Sequence, residues 1–210
     1  MAPGLRERHK RETRQAISDI ATQMFVERGF DEVTIAQVAD ASGVSKMTVT
    51  NYFPRKEDLV FDRAEAVERH LADVIAARAP GESMLAAIRR DYAEAVARAD
   101  VTLGLSSPGF AGMILSSPVL VSRAREMLDR RERALGDAIA AETGTDNPQQ
   151  RLVAALLASV HRVLAAEASE RSLAGQPREE ICVVLAGAST RAFDLLEPSL
   201  GGYRIRAQPG

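Results

Sequence analysis

The stretch from Thr34 to Phe53 constrains this chain more than any other part of it. Thr34 and Gln37 stand three apart, the spacing of a capping box that satisfies free amide donors at a helix start. Ile35, Val38 and Ala39 then give one apolar face, and Gly43 can take the left-handed conformation that ends a helix. Ser45 caps a second short helix whose inward residues are Val49 and Phe53. Between those anchors lie Lys46, Thr48, Thr50, Asn51 and Tyr52, all hydrogen-bonding and none acidic. Small Ala39 lets two helices cross closely, Gly43 turns the chain, and the second helix keeps a polar face. That is the pattern of a helix-turn-helix, whose second helix enters the major groove of DNA.

The flanks sharpen the match. Gly29-Phe30 ends the preceding helix, and Phe53-Pro54-Arg55-Lys56-Glu57-Asp58-Leu59 opens the following one. With Val38-Ala39-Asp40-Ala41-Ser42-Gly43-Val44-Ser45 and Thr48-Val49-Thr50-Asn51-Tyr52, these residues carry a resemblance over about Lys10 to Leu59. The chain there resembles the tetracycline-repressor (TetR) family of bacterial transcriptional regulators. Ser42, Met47 and Thr50 depart from the family's usual residues, and the last two lie on the reading helix. The resemblance implies that the first half of this helix reaches base edges. Thr48, Thr50 and Asn51 suit that role, Met47 suits a thymine methyl, and Lys46 suits a guanine or a phosphate. Thr34, Tyr52 and Lys56 are expected on phosphates, which fix position without reading sequence, and Ser45 completes the DNA-facing set.

The net charge of −2 argues against nucleic acid only if it is spread evenly. Residues 1–14 carry Arg6, Arg8, Lys10, Arg11 and Arg14 against Glu7 and Glu12, and residues 44–56 carry Lys46, Arg55 and Lys56 with no acid. A local basic surface on a near-neutral protein suits a regulator that must not hold all DNA strongly. The 46 % apolar content, without alternating β-branched runs, favours an all-helical protein. A single cysteine excludes an intrachain disulfide and suits a reducing compartment. From the polar, charged N-terminus no signal peptide is expected, and no apolar run is expected to reach membrane-spanning length. A cytoplasmic protein without a membrane partner is expected.

About nine helices follow from the periodicity and the caps. Residues 1–9 form a flexible basic arm, and the first helix spans Lys10 to Arg28 with Ile17, Ile20, Ala21, Met24 and Phe25 inward. A fourth helix runs unbroken from Lys56 to Arg78, and a fifth from Ser83 to about Ala99. Ser107-Pro108 and Ser117-Pro118 each open a helix by a serine cap before a first-turn proline. Asn147 and Gln150 cap the next, and a last helix runs from Pro177 until Pro198 stops it, leaving a loose tail. The division expected is 1–55 as the DNA-binding domain with its arm and 56–210 as a helical ligand-binding and dimerisation domain.

The last two helices mix small residues with large ones. The family resemblance implies a two-fold dimer, a four-helix bundle in which Ala154, Ala158, Val184, Ala188 and Ala192 meet the partner. The middle helices offer Tyr92, Phe110, Met113, Met127 and His161 as candidate contacts for an apolar or aromatic small molecule. His9, His70 and His161 are scattered, no metal-ligand spacing exists, and no nucleophile elbow or phosphate loop is present, so no catalysis, metal or cofactor is expected. The expectation is a dimeric transcriptional repressor released from a palindromic operator by its ligand. The alternative is a helical module that sequesters an apolar molecule, its DNA binding vestigial.

Overall fold

A computed structural model describes residues 5–145, 147–204 and 206, with side chains from Glu7 onward. The described residues form nine α-helices and no strand: α1 (Leu5–Arg28), α2 (Ile35–Ala41), α3 (Lys46–Tyr52), α4 (Ala64–Ala77), α5 (Met84–Ala97), α6 (Pro108–Ser116), α7 (Pro118–Thr143), α8 (Pro148–Leu173) and α9 (Arg178–Leu200). The all-helical expectation holds. Packing divides the chain into two compact units, Met1–Glu65 with Gly112–Ala124, and Ala66–Ala111 with Arg125–Gly210. The boundary near residue 55 therefore moves: residues 56–65 and 112–124 pack with the first unit, where Arg123 Nε donates to Asp58 at 3.2 Å.

The first unit closes α1 over α2 and α3. Ile17, Ala21, Phe25, Phe30, Val38, Val49, Phe53 and Leu59 are all buried, and Phe25 meets Phe30 edge to face at 5.1 Å. Burying each large side chain of this set is worth roughly 1.5–3 kcal/mol. α1 begins at Leu5, five residues before the expected Lys10. Good helix formers and an Arg8–Glu12 pair at 3.3 Å extend it, so of the expected arm residues 5–9 are helical and residues 1–4 lie outside the described residues.

The unbroken fourth helix is corrected. Lys56–Leu59 form one 3₁₀ turn and α4 starts only at Ala64. Side chains of α1 hold the intervening backbone: Ser18 donates to the Leu59 carbonyl at 2.8 Å, and Arg14 donates to the Asp62 carbonyl at 3.2 Å. Those fixed carbonyls bend the chain where the sequence alone reads helix.

In the second unit α8 and α9 pack together, as do α5 and α9, around Leu71, Ile88, Tyr92, Leu135, Leu157, Leu164, Leu185 and Phe193. Asn147 and Gln150 form the expected capping box on α8, and Ser83 caps α5. Ser107 accepts from the Phe110 amide at 3.2 Å, but the Ser117 hydroxyl is buried and makes no hydrogen bond to the described residues, so only one of the two serine-proline signals caps by side chain. Gly104, with φ +91°, lies where an added Cβ would stand 2.6 Å from the Ala165 carbonyl oxygen, so the turn after α5 closes on α8 through glycine alone.

Three further expectations change here. α9 continues through Pro198 to Leu200, because a proline in the last turn gives up a single bond while Leu200 is buried. The tail is not loose at Arg206, whose amide donates to the Glu82 carbonyl and whose carbonyl accepts from Gly81 at 2.8 Å. α8, rich in Ala and Leu, is long and apolar enough to cross a membrane by length and composition, with mean hydropathy 1.4 in its best window. Its buried residues are instead part of the second unit's core.

Of the expected dimer face, two residues are taken up within the chain itself. Ala154 and Ala158 are buried in the chain's own core, and Ala188 and Ala192 lie half-buried against it, with Val184 half-buried beside them. The apolar side chains left exposed on α8 and α9 are Leu152, Val163, Val183 and Leu195. An apolar pattern on nearly every side of a helix does not say which side meets its own chain.

Candidate functional site

The helix-turn-helix is built as its residues specify. Thr34 accepts from the Gln37 amide at 3.3 Å while the Gln37 side chain accepts from the Thr34 amide at 2.8 Å. Gly43 has φ +65°, and its left-handed conformation turns the chain into the Ser45 cap. Ser45 accepts from the Thr48 amide at 3.0 Å and shares a 2.8 Å hydrogen bond with the Thr48 hydroxyl. Buried Val38, Ala39, Val49 and Phe53 lock α2 and α3 together, so the remaining face of α3 has a fixed direction.

That face separates into engaged and unengaged groups. The Thr50 hydroxyl bonds back to the Met47 and Lys46 carbonyls at 3.1 and 3.2 Å. Thr48 is occupied by the cap, and Tyr52 is half-buried with its carbonyl taken by Arg14. Lys46 and Asn51 are exposed and make no side-chain hydrogen bond to the described residues, and Met47 is 68 % exposed. No acidic residue lies on α3. A cation, an amide with two donors and an acceptor, and a soft apolar tip are therefore presented together.

Lys56, expected on a phosphate, is half-buried and engaged within the chain. Its ammonium donates to the Phe30 and Asp31 carbonyls and sits 4.4 Å above the Phe30 ring. Burial lowers its pKa, and the Asp31 and Glu32 charges oppose that. In the same unit Arg14 lies 4.2 Å above the Phe53 ring and donates to the Tyr52 and Asp62 carbonyls. Arg14, expected only as one of the basic residues of the N-terminal stretch, is a positioning residue. Its place one turn before inward Ile17 and Ser18 was the available signal.

Of the candidate ligand contacts, the structure brings Tyr92 and His161 together, ring centroids 5.0 Å apart and edge to face. Phe110 and Met127 are half-buried in the second unit, while Met113 is buried in the first. Buried Arg131 was missed because it sits in a charged run. Its offsets from Met127, Leu128 and Leu135 put it on α7's apolar face, a signal present in the sequence. Among the described residues, no three His, Cys, Asp or Glu side chains gather as a metal site requires.

The His161 pKa is pulled down to about 3, first by burial and then by the Arg131 and His70 charges, with Asp91 opposing. The folded protein thus holds a neutral imidazole at neutral pH. Unfolding restores a value near 6.5, so below that pH the unfolded chain takes up a proton the folded one refuses, and stability falls as pH drops. Between pH 6.5 and 5 the loss is expected to be on the order of 2 kcal/mol. Thermal melts at both pH values should show this slope in the wild type and a shallower one in His161→Gln.

The two-helix unit with a rigid, cationic-to-neutral exposed face defines a helix-turn-helix DNA-binding protein. Residues 17–62 match the family model described as bacterial regulatory proteins, tetR family. The chain is 26 % identical over 206 residues to the HTH-type transcriptional regulator TcmR of Streptomyces glaucescens, covering 94 % of this chain and 88 % of that one. Its fold is similar to that of Salmonella enterica GusR, with TM-score 0.54 at 16 % identity over 90 % of this chain and 96 % of that one. It is also similar to NalD of Pseudomonas aeruginosa, the secondary repressor of the MexAB-OprM multidrug efflux pump, with TM-score 0.53 at 15 % identity over 88 % and 97 %. The helix-turn-helix region of the chain matches that of the tetR family, and the chain is a DNA-binding transcriptional regulator.

Proposed function

We propose that the chain is a homodimeric repressor that holds a palindromic operator and releases it when a small molecule binds in the second unit. The observation that carries the DNA reading is the unengaged trio Lys46, Met47 and Asn51 on a helix fixed from behind by Val49 and Phe53. Thr34, Ser45, Thr48, Thr50 and Tyr52 flank this trio as backbone contacts or supports, and Lys56 acts through the end of α1 rather than on a phosphate. Two copies are required because one seven-residue helix reads one half-site. Exposed Leu152, Val163, Val183 and Leu195 support a shared surface on α8 and α9. The protein works in the cytoplasm, with no catalytic step.

Asn51→Ala is expected to relax preference at one base position, costing about 1–3 kcal/mol on the best site and little elsewhere. Selection of bound sequences from a random pool, for wild type and variant, checks this. If the wild type shows no salt-dependent sequence preference, the repressor reading fails in favour of a helical module that sequesters its ligand. Release requires that the ligand prefer the non-binding state, and a hundredfold preference is roughly 2.7 kcal/mol of coupling. Operator must then weaken ligand binding by the same factor.

A further inference from the structure

We propose that the small molecule taken by the second unit is an aromatic acid whose carboxylate is held by Tyr92, His161 and Arg131. This rests on the ligand-binding reading above and gives it a chemistry, replacing a purely apolar molecule. The Tyr92 hydroxyl and His161 Nε2 are both buried and make no hydrogen bond to the described residues. They belong to one cluster, since their rings pack at 5.0 Å, and Phe193 closes on Tyr92 at 6.2 Å. Native cores rarely leave buried polar atoms on two packed rings unmatched, because each loses its hydration for nothing in return.

A charge acts on this pair, since the Arg131 guanidinium helps to lower the His161 pKa. Arg131 is 5 % exposed, its Nε donates to the Val67 carbonyl at 3.1 Å, and it forms no ion pair with the described residues. The carboxylate whose field reaches it, Asp91, is paired with His70 Nε2 at 2.7 Å. Burial lowers the Arg131 pKa and raises that of Tyr92, so the core holds a guanidinium it solvates poorly and a phenol that stays protonated as a donor. His161 stays neutral and donates through Nε2–H in one of its tautomers. A carboxylate offers about four acceptor positions and the opposite charge, so it can satisfy all three groups at once. An apolar guest would leave the Tyr92 hydroxyl and His161 Nε2 unmatched and the Arg131 charge without a counter-charge. Phe193 and the two clustered rings supply edges and faces for an aromatic body.

The test uses 1-naphthoate, 2-naphthoate and 9-anthracenecarboxylate beside their methyl esters, titrated calorimetrically into wild type and Tyr92→Phe. At least one acid should bind no less than tenfold tighter than its ester. Tyr92→Phe should weaken that acid about tenfold, leave the ester unchanged, and leave the free protein's melting temperature unchanged or higher, because the lost hydroxyl makes no bond in the free protein. Esters binding as tightly as acids, no acid binding, or a lower melting temperature with unchanged acid affinity would each overturn the proposal. Operator retention separates this from the release reading. An ester that frees operator while no acid binds removes the acid and keeps release, whereas an acid bound through Tyr92 with operator still held does the reverse.

Discussion

Phe53→Ala is expected to cost about 3–5 kcal/mol of stability and, with it, operator binding at ordinary temperatures. The ring is fully buried, and its residue closes α3 by donating its amide to the Val49 carbonyl at 2.8 Å. Arg14 lies 4.2 Å above that ring while donating to the Tyr52 and Asp62 carbonyls. Removing the ring therefore opens a cavity and takes away the surface that holds a part-buried guanidinium in place. Domains of this size keep only roughly 5–15 kcal/mol in total, so a loss of this order is a large share. Urea melts of the purified variant measure it directly, and Asn51→Ala, exposed on the same helix, should melt like wild type. A Phe53→Ala melt within about 1 kcal/mol of wild type would mean that α3 is held by something other than this ring.

What the sequence made legible was local. Thr34 with Gln37, Ser45 with the Thr48 amide, and Asn147 with Gln150 are contacts between residues two to three apart, and each forms as its spacing implies. What was not legible was settled across the chain. The break before α4 is made by Ser18 and Arg14, 41 and 48 residues from the carbonyls they hold. Lys56 reads as a surface cation until the fold brings the Phe30 carbonyl and ring beneath it, 26 residues away. Arg131 reads as part of a solvated run because its neighbours Arg130 and Arg133 are solvated. For α8 the difficulty is different: with Leu, Val and Ala on nearly every side, periodicity names no inside. Only the packed neighbours leave Leu152 and Val163 out and take Ala154 and Ala158 in.

That exchange gives the proposed dimer a sharp test. Val183 and Leu195 on α9 are 74 % and 80 % exposed, far more than side chains of their kind favour when no partner covers them. Val183→Arg is expected to fold normally, since arginine there meets solvent in a single chain, and to sediment as a monomer at micromolar concentration. Operator binding should then fall by roughly 10²–10⁴, because the second half-site is no longer held at high effective concentration. Ala158→Arg is the contrasting variant. Its side chain lies in the chain's own core beside Leu157, so a long charge there should lower the melting temperature sharply. The pair separates two ways of losing DNA, one by parting folded subunits and one by unfolding them. A Val183→Arg protein that remains dimeric would place the shared surface away from this part of α9. A wild type that is monomeric at micromolar concentration would remove the dimer itself, and the operator would then need only one reading helix.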